Sequence, residues 1–112
     1  MKQFRDTKYL VDESGNIFRF AKKRKLHINK YGYQEVSLSI KGKPKTFSVH
    51  RIVAECYLLN PNNLPQVDHK DCNKLNNIIS NLEWVTAEEN VKRSLDLGRQ
   101  KVWRNQYTKL KN

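Results

Sequence analysis

Hydrophobic and polar positions alternate through much of the first half of the chain. Val36, Leu38 and Ile40 are separated by Ser37 and Ser39, a period of two that gives a strand one apolar face. Lys41-Gly42-Lys43-Pro44 then turns the chain, and Phe47 and Val49 resume the alternation. Tyr9-Leu10-Val11 and Ile17-Phe18-Arg19-Phe20 flank Asp12-Glu13-Ser14-Gly15-Asn16, a glycine-containing hairpin loop. Tyr31-Gly32-Tyr33 is a further turn signal. The pattern predicts three to five antiparallel strands before residue 50.

The period changes at Ser48. Ile52, Val53, Cys56 and Tyr57 are apolar at helical spacing, with Ser48 placed to cap the helix. Asn60-Pro61 and Leu64-Pro65 end it, because proline disfavours helix in the residue before it. Gln66-Val67-Asp68-His69 reads as a short strand, Lys70 to Asn81 as an Asn-rich loop, and Leu82-Glu83-Trp84-Val85 as a second strand. Thr86-Ala87-Glu88-Glu89 is a capping box that opens a helix at Ala87, with Val91, Ser94 and Leu95 on one face and a stop near Gly98. The class expected is α+β: an N-terminal antiparallel sheet, a helix, and a strand–loop–strand–helix unit. The divisions are a basic sheet over 1–49, a chemical core over 50–98 and a basic tail over 99–112.

Composition narrows the function. Charge interrupts every apolar run well short of the roughly 20 residues a membrane span needs. Lys2, Arg5 and Asp6 break up the start of the chain, against a secretory leader, so a cytoplasmic location is expected. Cys56 and Cys72 are too few for a disulfide framework and are not spaced as a zinc pair, so reduced thiols and no structural zinc are expected. The formal charge of +11 is unevenly placed: residues 1–49 carry +8, residues 50–90 carry −3 and residues 91–112 carry +6. Basic flanks suit the phosphates of a polyanion, and an acidic centre suits a cation. The cations expected on nucleic acid are Lys22, Lys23, Arg24 and Lys25, then Lys30, Lys41, Lys43 and Lys45 near the turns. In the tail they are Arg99, Lys101 and Arg104. Phosphate contacts of this kind position a protein and carry little sequence information.

Four residues of the central unit carry chemistry. Asp68 and His69 close the first strand, Asn81 precedes the second, and Asn90 lies in the first turn of the helix. Folding the two strands back onto that helix lets Asp68 and Asn90 aim oxygens at one point, a hard-oxygen pair suited to Mg²⁺. His69 would then face the scissile phosphate from the other side and take a proton from water, as the side chain that titrates nearest neutral pH. Adjacent strand residues point to opposite sides unless the backbone bends. His50, His27, Trp84, Asn73, Asn76 and Asn77 are read as structural, His50 as a hydrogen-bonding residue beside the helix cap.

The run Val67-Asp68-His69-Lys70-Asp71-Cys72-Asn73-Lys74-Leu75-Asn76-Asn77, with Asn81-Leu82-Glu83-Trp84-Val85-Thr86 and Glu89-Asn90, resembles the HNH endonuclease motif. The form is that of phage and intron-encoded homing endonucleases, in which the third motif residue is Asn. Val49-His50-Arg51-Ile52-Val53-Ala54 and Asn60-Pro61 are similar to the same group, so the likeness covers about residues 7–95. It implies a ββα-metal fold, one divalent cation (Mg²⁺ or Mn²⁺) and hydrolysis of phosphodiester bonds in double-stranded DNA. It implies that His69 is the general base, that Asp68 and Asn90 hold the cation, and that Asn81 braces the loop and orients the histidine. One departure is Cys72, where the family usually has Gly in a turn expected to need φ > 0. A monomer or weak dimer with one site per chain is expected to nick. The rival reading is an inactive relative that binds DNA or protein as a regulator.

Overall fold

The computed structural model describes residues 1–96. The expected tail over 99–112, with Arg99, Lys101 and Arg104, and the helix stop near Gly98 lie outside the described residues. Seven strands precede residue 50, in two sheets. Strands β1 (Lys2–Gln3), β2 (Tyr9–Val11), β3 (Ile17–Arg19) and β4 (Lys22–Lys23) form an antiparallel meander, and β5 (His27–Ile28), β6 (Gln34–Ile40) and β7 (Lys43–Ser48) form a second. This exceeds the three to five strands expected from sequence, because β1, β4 and β5 have two residues each, too few for a period of two to show. The second-half elements follow the sequence pattern closely. They are α1 (Val49–Tyr57), β8 (Gln66–His69), a 3₁₀ turn (Ile79–Asn81), β9 (Leu82–Val85) and α2 (Ala87–Asp96), with β8 and β9 paired antiparallel.

The alternation in β6 does what it predicts: Val36 and Leu38 are buried while Ser37 and Ser39 are exposed. Val49, however, opens α1 instead of continuing the strand. Ser48 sits at the N-cap in extended conformation, yet its side chain makes no capping hydrogen bond. The helix is held mainly by burial of Val49, Ile52, Val53 and Ala54 in a core shared with Phe4, Tyr9, Val11, Ile17, Val67 and Leu82. Burying a Val, Leu or Ile side chain gains about 1.5–3 kcal/mol, more than the ~1 kcal/mol of one cap.

Polar side chains tie the layers together. Tyr9 Oη accepts from the Ser39 amide at 2.9 Å, linking the two N-terminal sheets, and Tyr57 Oη donates to Val11 O at 2.7 Å, linking α1 to β2. Trp84 is half-buried against the core and donates from Nε1 to Leu58 O at 3.3 Å. The first hairpin loop is an Asx turn, in which Asp12 Oδ1 accepts from the amides of Ser14 and Asn16 at 2.9 and 2.8 Å. Its Gly15 has φ +91°, and a Cβ there would lie 3.0 Å from Asn77 Cβ and 3.1 Å from Val49 Cγ1. Close by, the Ile79 amide donates to Glu13 O at 3.0 Å. The first hairpin is thereby seated on the loop between β8 and β9.

Candidate functional site

The loop from Lys70 to Asn81 is a network of short polar side chains that satisfy each other and the backbone. Asn81, nearly buried, accepts from the Asp71 amide at 3.0 Å and donates to Asp71 Oδ1 at 2.9 Å and to Asn76 O at 2.8 Å. Asp71 also accepts from the Asn73 amide at 2.8 Å and from Asn76 Nδ2 at 2.8 Å. Hydrogen bonds from Asn76, Asn73 and Asn81 to its charged form, with His69 nearby, hold the Asp71 carboxyl below the usual carboxylate range. Cys72 sits inside the turn with φ +67° and donates its amide to His69 O at 3.0 Å. The left-handed backbone expected at this position is therefore present, occupied by a residue that adopts it at a cost.

This frame delivers Asp68 and His69, each 3% exposed, to the end of β8. Both residues line one small cavity together with Asn90, Tyr33, Val67, Cys72 and Lys74. Its volume of about 20 Å³ suits a single water or ion. Asn90 comes from α2, whose start is set by the capping box: Thr86 Oγ1 accepts from the Glu89 amide at 3.0 Å and Glu89 Oε1 from the Thr86 amide at 3.3 Å. Asn90 Nδ2 donates to Gln66 Oε1 at 2.9 Å. The residues at the cavity thus include a carboxylate and a carboxamide, whose oxygens are of the hard type that suits Mg²⁺ or Mn²⁺. Among the described residues no group of three or more His, Cys, Asp or Glu is placed to hold a metal ion.

The histidine's tautomer follows from its partner. His69 Nε2 lies 2.8 Å from Asn77 Oδ1, and Asn77 Nδ2 is committed to Gln34 Oε1 at 2.8 Å. An amide oxygen only accepts, so Nε2 carries the hydrogen and Nδ1 is the basic nitrogen. This refines the expectation for Asn81: Asn81 braces the loop, while the hydrogen bond to the imidazole comes from Asn77. Asn77 is 2% exposed, and from sequence it reads only as a turn residue.

A ring stack backs the imidazole. Tyr33 stacks on His50 at 5.0 Å between centroids, and His50 lies 5.0 Å from His69. Burial pushes the His50 imidazole down to about 3, helped by the neighbouring His69 and Arg51. It is therefore uncharged near neutral pH. Sequence expects a hydrogen-bonding role for His50 beside the cap; the structure gives it a place in this stack. Gln34, Tyr33 and Gly15 carry no signal in the sequence that ties them to this site, since each reaches it across the chain from another sheet or loop.

The predicted phosphate-contacting cations Lys22, Lys23, Arg24, Lys25, Lys30, Lys41, Lys43 and Lys45 are all exposed. They are divided between the two N-terminal sheets and their turns, where the sequence reading places them on one sheet.

Residues 47–92 match the family model described as HNH endonuclease, a span that runs from the end of β7 into α2 and contains Asp68, His69, Asn81 and Asn90. The DNA endonuclease I-HmuI of Bacillus phage SP01 is 39% identical over 107 residues, covering 93% of this chain and 62% of that protein. An uncharacterized HNH endonuclease of Acanthamoeba polyphaga mimivirus is 46% identical over 85 residues, 74% of this chain and 26% of its own length. The solved structure "DNA binding and cleavage by the HNH homing endonuclease I-HmuI" superposes with a TM-score of 0.75 at 39% identity, over 89% of this chain and 59% of that one. This chain therefore spans less than two thirds of the length of these relatives. With a matching motif and a matching backbone, the chain belongs to the HNH endonuclease family.

Proposed function

We propose that this chain is a divalent-metal-dependent endonuclease that hydrolyses phosphodiester bonds of double-stranded DNA, one strand per active site. The observation that carries the reading is the meeting of Asp68, His69 and Asn90 at one cavity of about 20 Å³. The relatives' names support DNA as the substrate, and the exposed cations of the N-terminal sheets supply the means to hold its backbone.

The chain's own groups divide the work. His69 accepts a proton from the attacking water at Nδ1, while Asn77 fixes the ring by accepting from Nε2–H. A neutral His50 behind it adds no competing positive charge. Asp68 and Asn90 would hold the cation, and Asn81 keeps the loop closed around them. A divalent ion bound there supplies charge stabilisation for the phosphate and the leaving oxygen. No helix among the described residues is long and apolar enough to cross a membrane.

Relaxation of supercoiled plasmid tests this. The protein should convert plasmid to open circles with Mg²⁺ or Mn²⁺ and stop with chelator. His69→Ala should lose about 10²–10⁴-fold in rate while keeping its DNA affinity. Cleavage unaffected by chelator, or unchanged in His69→Ala, refutes the reading; binding without cleavage in either metal leaves a non-cutting relative.

A further inference from the structure

The turn between β3 and β4 is built against the preferences of its residues. Arg19 pairs with Lys22, so the loop is only Phe20-Ala21, and these have φ +51° and +63°. Two left-handed residues in a two-residue hairpin loop are the pattern of a type I′ turn, which favours Asn-Gly and penalises a bulky side chain. Phe20 nevertheless occupies it, with 70% of its surface exposed. It is not loose. Arg19 Cζ lies 5.0 Å and Lys8 Nζ 5.7 Å from the ring centroid, and the guanidinium lies 5.4 Å from the Tyr9 ring centroid. Arg19 Nε is buried without a hydrogen-bond partner, while its Nη1 donates to Tyr9 Oη at 3.4 Å, so among the described residues two aromatic side chains locate this cation and no acid pairs with it. Among the described residues Lys8, Arg19, Lys22 and Lys23 form no ion pair with a carboxylate. Lys8 and Arg19 also line a basic cleft of about 490 Å³ that includes Arg5 and Lys41.

We propose that Phe20 is a stacking wedge that inserts at a base step of duplex DNA, with Lys8, Arg19, Lys22 and Lys23 seated on the flanking phosphates. This rests on the reading of the chain as a DNA-binding protein and adds to it a contact to the bases, made away from the catalytic loop. A rigid aromatic tip loses little freedom on insertion, and its ring is held at the apex of a two-residue turn by the paired strands beneath it. A side chain of this type pries bases apart and kinks the duplex, whereas lysines alone follow the backbone without disturbing it.

The test uses closed circular plasmid and the His69→Ala background, so that no strand is cut. Plasmid relaxed by a topoisomerase in the presence of this protein should shift in linking number, because partial unstacking untwists the duplex. Phe20→Gly in the same background should abolish the shift and weaken duplex binding about ten-fold, the size of one base–aromatic stack. Glycine relaxes a left-handed position that is mostly exposed, so an unchanged melting temperature separates this loss from misfolding. Phe20→Trp should keep both shift and affinity. The salt dependence of binding should stay the same in Phe20→Gly, but fall by about one unit of slope for each phosphate contact removed in Lys22→Gln and Lys23→Gln. A parent protein that binds plasmid without shifting its linking number, or a Phe20→Gly variant that matches it, overturns the wedge while leaving DNA binding intact. A parent that binds no duplex overturns the DNA reading and the wedge together.

Discussion

The loop between β8 and β9 and the tips of the N-terminal sheets use polar residues in opposite ways. In the loop, Asp71, Asn73, Asn76, Asn77 and Asn81 are bonded to one another, to the backbone or to His69. On the sheets, most cations are exposed and, among the described residues, form no ion pair with a carboxylate, the Arg5–Glu55 pair being an exception. A group that must sit at one position has its hydrogen bonds satisfied within the fold; a group that meets a mobile polyelectrolyte keeps its charge available. On the proposed reading, catalysis and grip place different demands on similar polar surface.

The sharpest way to break the contrast is to disturb the seat of the loop. Gly15→Ala forces a Cβ against Asn77 Cβ and Val49 Cγ1 at a left-handed position, and should cost about 2–4 kcal/mol in urea melts. Nicking should fall with it, since Asn77 is the group displaced. Asn77→Ala attacks the same point directly: with Nε2–H no longer held, nicking should drop about 10²-fold while DNA affinity stays within two-fold. An equal loss in affinity would show that the variant has lost its fold, not its aim.

Acid sharpens the comparison from another side. His50 has a folded value of about 3 against an ordinary 6.5, so the unfolded chain takes up a proton below pH 6.5 that the folded chain refuses until about pH 3. Its contribution to stability is present above pH 6.5 and is lost as pH falls toward 3, at up to ~1.4 kcal/mol per pH unit. Between pH 7.5 and pH 5, His50→Gln should therefore lose about 2 kcal/mol less stability than the parent, read from melts at the two values. The smallest effect belongs to the sheet side. The exposed Arg5–Glu55 pair, 2.9 Å apart, should contribute under ~1 kcal/mol, so Arg5→Met should barely move the melting temperature, and less at high salt.

Local order was written plainly in the chain. The Thr86–Glu89 capping box, the alternation of Val36 and Leu38, and the turn at Cys72 each depend on residues a few positions apart, and each stands in the structure where those residues put it. The motif likewise carried Asp68, His69 and Asn90 to one cavity. What the sequence hid was contact across long separations. Gln34 reaches Asn77 and Gly15 clears space for it, and no periodicity records such meetings. The two-residue strands escaped for a related reason, as their neighbours, not their own pattern, define them. Ser48 shows the converse: a residue of capping type at a capping position whose side chain makes no cap, because burial of the helix's apolar face suffices.

The bond from the Ile79 amide to Glu13 O joins the first hairpin to the loop between β8 and β9 through backbone atoms alone. Side chains on either segment can drift in evolution without breaking it. A single inserted or deleted residue between Asp12 and Asn16 would not be so forgiving, because it would shift the oxygen and the glycine together. Diversity at that hairpin should accordingly accumulate as substitutions at fixed loop length, a rule that anyone grafting new DNA-contacting tips onto this scaffold would do well to keep.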